Sequence, residues 1–338
     1  MLTDAYARRF SYLRLSVTES CNFRCSYCLP DGNDCDSRSG ELNLTEIRRL
    51  VTAFAKLGTR KVRITGGEPS LRKDLTEIIA TCKAVPGIEK VALTTNGYRL
   101  KRDALAWQAA GLDAVNVSVD SLDADTFHLV TGQDKLADIL DGIAHAKAIG
   151  IKQVKINTVL LKQHNALALP DFLKFIQQQD IALRFIELMR TGDNAGFYQR
   201  QHLSGASIQQ QLLAQGWQLN AKAKTDGPAL EYSHPAYQGR IGLIMPYSKD
   251  FCADCNRLRV SSTGALYLCL FTDSHQDLRS LLQSDEIVAV AYLDRVKVQF
   301  DVEELVQVKG QQHDVLNARL PTVLDRRQHR PHRHECLA

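Results

Sequence analysis

Six short segments rich in β-branched residues recur along the chain, separated by stretches whose apolar residues repeat with a helical period. The strand-like segments begin at Tyr12 (YLRLSVT), Lys61 (KVRITG), Lys90 (KVALTTN), Ala114 (AVNVSVD), Val154 (VKINTVLL) and Ala182 (ALRFIELM). Between them lie LTEIRRLVTAFAKLG, with Thr45 as the expected N-cap and Gly58 as the stop, then DLTEIIATCKAV, KRDALAWQAAG, LADILDGIAHAKAIG and LPDFLKFIQQQ. This alternation predicts an α/β protein with a parallel sheet and right-handed crossovers. Six units in succession fit a partial (β/α)6 TIM-like barrel better than a flat doubly wound sheet.

Side chains on a strand point to opposite faces in turn. One phase is apolar, as in Val62 and Ile64, Val115, Val117 and Val119, or Val154 and Ile156, and is expected to face the helices. The other reads Arg14 and Ser16; Lys61, Arg63 and Thr65; Asn116, Ser118 and Asp120; Lys155 and Asn157; Arg184 joins it if the register of the sixth strand allows. A closed eight-stranded barrel fills its interior with branched apolar side chains, so this phase predicts a hollow, wet lumen in which cations outnumber acids. An exposed face of an open sheet is the competing placement. A cationic lumen suits a large polar anion.

After about residue 190 the pattern changes to a loop and an amphipathic helix, and then to strands in GRIGLIMPYSKDFCADCNRLRVSSTGALYLCLF. The expected division is a barrel over 1–225, a smaller C-terminal iron–sulfur unit over 226–285, and an atypical tail over 286–338. The tail carries seven valines between Val288 and Val308 and ends DRRQHRPHRHECLA.

Composition narrows the class. Of 338 residues, 44% are hydrophobic and 24% charged, as in a soluble globular protein. A net charge of +4, with no basic stripe interleaved with aromatics, argues against a nucleic-acid partner. No run of 18 apolar residues and no signal-peptide core are present, so a cytoplasmic protein without a membrane partner is expected. In a reducing compartment, nine cysteines with six in two tight groups point to metal or redox chemistry rather than disulfides.

The first group, Cys21, Cys25 and Cys28, has C-x3-C-x2-C spacing. A closed structural zinc site wants four ligands, and Cys35 is the only near candidate for a fourth. In an iron–sulfur cubane each of four irons wants a thiolate, so three cysteines leave one iron open to a small molecule. Cys252, Cys255 and Cys269 repeat the count of three. Arg257 and Arg259 lie two apart on an expected strand, hence on one face, where guanidinium forks suit phosphate.

The C-x3-C-x2-C motif directly after a first strand resembles the radical S-adenosylmethionine superfamily. The resemblance implies a [4Fe-4S] cluster on Cys21, Cys25 and Cys28, whose free iron chelates S-adenosylmethionine. Reductive cleavage then yields a 5′-deoxyadenosyl radical. It also implies that Tyr27, Gly66, Gly67, Glu68, Ser118 and Met189 contact the cofactor, with the TGGEP segment (Thr65 to Pro69) against the methionyl amino group. Taken in order, YLRLSVTESCNFRCSYCLP, KVRITGGEP, TTNGYRL, NVSVDSLD, RFIELM and DFCADCNRLRVSSTGALYLCLF are similar to the GTP 3′,8-cyclases of molybdenum cofactor biosynthesis, over roughly Leu2 to Gln283. That family resemblance implies hydrogen abstraction from the ribose C3′ of GTP and attack of the carbon radical on guanine C8, giving (8S)-3′,8-cyclo-7,8-dihydroguanosine 5′-triphosphate. It implies a second [4Fe-4S] cluster on Cys252, Cys255 and Cys269 that holds the purine. GTP contacts would come from Arg14, Lys61, Arg63, Thr94, Lys155, Arg184, Arg257, Leu258 and Arg259. The implied partners are a reducing electron donor and the next enzyme of the pathway, cyclic pyranopterin monophosphate synthase; a homodimer is compatible.

Members of that family end in a Gly-Gly tail needed for cyclisation, whereas this chain ends HRHECLA. The similarity is expected to stop near Asp285, with 286–338 the product of a shifted reading frame or a disordered basic tail, and cyclisation of GTP is then expected to suffer while cofactor cleavage persists. His329, His332 and His334 are read as part of that basic tail, Cys336 as incidental and Cys82 as a small core residue. Two other functions compete: a different radical enzyme with an auxiliary cluster, and an inactive iron–sulfur scaffold.

Overall fold

The computed structural model describes residues 2, 8–28, 40–190, 194–221, 227–248, 251, 255–269 and 275–283. All six expected strands form, and helices separate them. In chain order come β1 (Tyr12–Ser16), α1 (Leu44–Lys56), β2 (Lys61–Thr65), α2 (Leu75–Ala84), β3 (Lys90–Thr95), α3 (Leu100–Ala109), β4 (Ala114–Ser118), α4 (Ala124–Thr131), α5 (Leu136–Ala148), β5 (Gln153–Leu160), α6 (Leu169–Ile176) and β6 (Ala182–Glu187). Then follow α7 (Ala195–Gln201), α8 (Gly205–Ala214), β7 (Gln218–Leu219), β8 (Leu230–Ser233), β9 (Arg240–Ile244), β10 (Arg257–Val260), β11 (Ala265–Tyr267) and β12 (Gln276–Asp277).

The strands make one sheet in the order β12-β11-β10-β1-β2-β3-β4-β5-β6-β9-β8-β7. β1 to β6 pair in parallel and in sequence, β10 adds parallel to β1, and β9 adds parallel to β6. The order has two ends, so this is an open, partial barrel. Residues 226–285 supply β8 and β9 to one edge and β10 to β12 to the other.

The apolar phase packs outward against the helices. Leu13, Leu15, Val62, Ile64, Val91, Leu93, Val115, Val117, Ile156 and Leu183 are fully buried in one continuous core, each worth roughly 1.5–3 kcal/mol relative to exposure. Cys82 is buried in α2 within this core.

Two local expectations are corrected. The N-cap of α1 is Asn43, not Thr45: Asn43 Oδ1 accepts from the Thr45 and Glu46 amides, and the Glu46 carboxylate accepts from the Asn43 amide in return. Thr45 lacks that reciprocal partner three residues on. The helix α4 was not anticipated; Asp123 caps it, and Gly132 at φ 70° ends it. No helix among the described residues is long and apolar enough to cross a membrane.

Candidate functional site

Parallel strands place their C-terminal ends together. The loop carrying Cys21, Cys25 and Cys28 leaves β1 there and is pinned on two sides. Against α4, the Arg24 amide donates to Thr131 O at 3.0 Å and the Ser26 amide to Val130 O at 2.9 Å, while buried Phe23 meets Phe127 edge to face. Against β3, Asn96 Nδ2 donates to Asn22 Oδ1 at 2.9 Å. All three thiols are outside any disulfide, with Cys28 the most exposed.

Cys25 shares its electrostatic surroundings with Cys21, Cys28 and Asp120, and burial followed by the Asp120 charge pushes its thiol far above the usual range. Bare thiolates are therefore disfavoured here, and a cationic group between them would offset that cost. Among the described residues no three His, Cys, Asp or Glu side chains converge tightly enough to hold a single metal ion. A cubane differs because each iron takes its own thiolate, so its ligands surround a cluster rather than a point. The residues present fit such a group.

The turn after β2 is zippered to the segment that leads into the cysteines. The Gly67 amide donates to Thr18 O at 2.9 Å and the Glu68 amide to Ser20 O at 2.7 Å. A Cβ at Gly66 would lie 2.4 Å from Thr18 O, and one at Gly67 2.4 Å from Ser20 O, closer than any side chain tolerates. The Glu68 carboxylate turns inward and accepts from the Ser70 amide, Thr95 Oγ1 and the Asn96 amide. It ties the end of β2 to the end of β3. Beyond β4, Asp120 accepts from Tyr27 Oη at 2.9 Å and the Val159 amide at 2.8 Å; burial raises its carboxyl to about 6 despite these donors. Ser118 stands on the lumen face of β4, and Met189 follows β6, half-buried, its carbonyl accepting from Asn194 Nδ2.

Strand register builds the cationic lumen. Arg259, Arg14 and Arg63 stand side by side across β10, β1 and β2, and Arg257, Tyr12, Lys61 and Lys90 form the next row. Thr94, Asn116 and Lys155 align across β3, β4 and β5, and Asn157 and Arg184 across β5 and β6. Arg63 Nε donates to Tyr12 Oη and Arg63 Nη1 to Thr94 Oγ1 at 3.2 Å, while Lys61 Nζ sits 4.4 Å from the Tyr12 ring centroid.

Crowded like charges show in the titration of these groups. Burial, then Arg259, holds Arg14 well below the usual guanidinium range. Burial likewise lowers Lys61 to about 8, Lys155 to about 7 and Arg259 to about 10. Burial alone would raise Tyr12, but Arg63, Lys61 and Arg14 outweigh it and bring the phenol to about 7. Asn116 Oδ1, Asn157 Oδ1 and Arg184 Nε are buried without a hydrogen-bond partner, as expected where a polar guest belongs.

Leu258 does not join the lumen through its side chain, which is 4% exposed and packed in the core. Alternation on β10 sends it to the face opposite Arg257 and Arg259. Of the second cysteine group, Cys255 and Cys269 both lie near Arg259, and Arg257 draws Cys255 down against the rise from burial. Cys252 lies outside the described residues, as do Cys35, His329, His332, His334, Cys336 and the tail 286–338. Because β10 runs parallel to β1, Cys255 precedes the strands at the end opposite Cys21. The five residues of β1, about 13 Å of strand, lie between the end that leads on to Cys21 and the end at which Cys255 enters β10.

Sequence reasoning missed Tyr12, Lys90 and Glu231 as lumen residues. Tyr12 and Lys90 share the inward phase with Arg14 and Thr94 on their own strands, a signal available without the structure. Glu231 is on β8, whose place in the sheet had no local mark.

An open parallel barrel with three thiols after its first strand and a glycine turn locked beneath them defines a radical S-adenosylmethionine protein. Residues 15–176 match the family model described as Radical SAM superfamily, and residues 181–315 match Molybdenum Cofactor Synthesis C. The second match runs to residue 315, whereas the alignments with curated relatives span 286 to 287 residues, or 84% of the chain.

The chain is 57% identical over 286 residues to the GTP 3',8-cyclase of Haemophilus ducreyi, covering 84% of each. It is 56% identical over 287 residues to that of Klebsiella pneumoniae, covering 84% of this chain and 87% of the relative. This chain belongs to the GTP 3',8-cyclase family of molybdenum cofactor biosynthesis. Among solved structures, Streptococcus suis SuiB bound to S-adenosylmethionine shares the fold with a TM-score of 0.61 at 14% identity, over 82% of this chain and 65%, just under two thirds, of that one. AnSMEcpe with bound AdoMet and Cp18Cys peptide does so with 0.53 at 15%, over 86% and 84%.

Proposed function

We propose that the chain binds GTP in the cationic lumen and cyclises it with S-adenosylmethionine held at the C-terminal end of the barrel. The observation that carries this reading is the row Arg259, Arg14 and Arg63, three guanidinium groups side by side and largely buried. Such a row is costly to assemble unless an anion enters it. Arg14, Lys61, Arg63, Lys155, Arg184, Arg257 and Arg259 hold the triphosphate, and Thr94, oriented by Arg63, meets the nucleoside. Leu258 offers main-chain atoms only.

Cys21, Cys25 and Cys28 would hold one [4Fe-4S] cluster and Cys252, Cys255 and Cys269 a second. With S-adenosylmethionine, the first supplies one-electron chemistry, and the second an open iron for the purine. Tyr27, Ser118, Met189 and the main chain of Gly66, Gly67 and Glu68 orient the cofactor. The side chain of Glu68 is committed to the fold and acts by holding that turn in place. Substrate between the two ends is screened from water by the barrel walls, which keeps a reactive radical from being quenched. The division into a barrel over 1–225 and a second-cluster unit over 226–285 follows the same logic. A cytoplasmic location, a reducing electron donor, a homodimer and transfer of product to the next synthase of the pathway complete the reading.

The test is anaerobic. The chain is reconstituted with iron and sulfide, reduced and given S-adenosylmethionine with and without GTP; 5′-deoxyadenosine and the cyclised nucleotide are then measured. Both products would establish the cyclase and show that the atypical C-terminus is tolerated. Deoxyadenosine without cyclised nucleotide means a radical generator crippled by its C-terminus if GTP still binds and one meant for another substrate if it does not, and neither product would favour a scaffold.

A further inference from the structure

One acid faces the cations from the far edge of the sheet. Glu231 on β8 stands opposite Gly242 on β9, and Gly242 stands opposite Arg184 on β6, so the three share a row with Asn157. Gly242 is what lets Arg184 reach across. A Cβ there would lie 2.9 Å from Arg184 Cγ and 3.4 Å from Ala229 Cβ, so the arginine stem occupies the space a side chain would fill. Arg184 Nη2 and Lys155 Nζ then both approach the same oxygen, Glu231 Oε1, at 3.5 and 3.6 Å. Charge-assisted hydrogen bonds close to about 2.7–2.9 Å and are often bidentate with arginine. These contacts are long, share one acceptor oxygen, and leave Arg184 Nε buried without a partner. Asn157, on the other side of Arg184, also holds a buried, unpartnered Oδ1. The geometry is that of a loose neutralising contact rather than a brace.

We propose that Glu231 is a resident counter-ion of the lumen, an internal competitor that the phosphate groups of the substrate must displace from Lys155 and Arg184. This rests on the reading of the lumen as a triphosphate site. In the unliganded protein the carboxylate offsets the repulsion between the two cations and weakens the pull of the lumen on stray anions. A polyphosphate, which also engages Arg14, Arg63 and Arg259, brings enough charge to replace it. Glu231 thereby sets how strongly an anion must bind before Lys155 and Arg184 are released to it. A positioning residue that only braced the two cations would act in the opposite direction, since its loss would scatter them.

The experiment uses the full chain and inorganic tripolyphosphate as the probe, with GTP in parallel, in binding titrations at fixed ionic strength. Glu231→Gln and Glu231→Met both remove the charge and keep the length, and their thermal unfolding midpoints check folding. Each variant is expected to bind tripolyphosphate about fivefold more tightly, the factor corresponding to one loose, partly exposed ion pair. Equal or weaker binding by both folded variants, with wild-type binding intact, would overturn the role of Glu231 alone. If neither the wild type nor the variants bind tripolyphosphate or GTP, the lumen reading itself falls, and the proposal with it.

Discussion

Replacing Gly67 by Ala tests the contact that seats the cysteine loop. The added methyl would lie 2.4 Å from Ser20 O, 2.5 Å from Glu19 O and 2.7 Å from Ser20 C. All three are main-chain atoms, so nothing can swing aside as a flexible side chain would. Reaching an ordinary contact near 3.4 Å moves the turn about 1 Å away from residues 18–20. That shift breaks two hydrogen bonds, from the Gly67 amide to Thr18 O and from the Glu68 amide to Ser20 O, at about 0.5–1.5 kcal/mol each. Overpacking adds about 1–3 kcal/mol, while the stiffer unfolded chain returns about 0.4–1 kcal/mol. The net expectation is a loss of about 1–6 kcal/mol in denaturant unfolding of the full chain. Because Cys21 follows Ser20 directly, iron retained after reconstitution should fall as well. Gly227→Ala is the control, since nothing lies within 4 Å of a Cβ there. A Gly67→Ala chain within about 0.5 kcal/mol of wild type, with iron content unchanged, would refute the claim that this contact positions the first cysteine.

Other consequences can be measured with the same protein. Lys61 and Lys155, at about 8 and about 7 in the fold against 10.5 for the free side chain, bind fewer protons than in the unfolded chain, and Tyr12, brought from 10.0 to about 7, does so too. The unfolded state therefore holds more protons above pH 7, and these groups make stability increase with pH. The unfolding midpoint of the metal-free chain should rise from pH 7 to about 7.5–8, before the thiols of the unfolded chain, which titrate near 8.5, begin to oppose it, and saturating tripolyphosphate should flatten the rise; a falling midpoint over that interval would contradict the crowding of cations. Tyr12→Phe keeps the ring but removes the oxygen that accepts from Arg63 Nε, so KM for GTP should increase several-fold with iron content unchanged, and an unaltered KM would show that Arg63 needs no such anchor. Asn43→Ala removes the side-chain cap of α1 and should cost about 1 kcal/mol in denaturant unfolding; no loss would show that the Glu46 half of the capping box suffices.

Much of the architecture was legible before any coordinates because strand periodicity is local. The six segments beginning at Tyr12, Lys61, Lys90, Ala114, Val154 and Ala182 carry a two-residue alternation that decides which side chains share a face, whatever the partner strand. Arg14, Arg63, Asn116, Lys155 and Asn157 could therefore be assigned to one polar face, and the spacing of Cys21, Cys25 and Cys28 marked them as one group suited to a metal rather than to disulfides. Register across strands is different, since it depends on which strands meet. Only the tertiary structure brings Arg259 beside Arg14 from more than two hundred residues away, fastens the cysteine loop to α4, and turns Glu68 inward to bind the ends of two strands. Glu231 shows the limit most clearly. Its neighbours in sequence mark it as an ordinary strand position, and it faces Lys155 and Arg184 because β9, with a glycine at the crossing, lies between β8 and β6. Alternation is written in consecutive residues, whereas the pairing of distant charges is settled by long-range packing that no short stretch of sequence encodes.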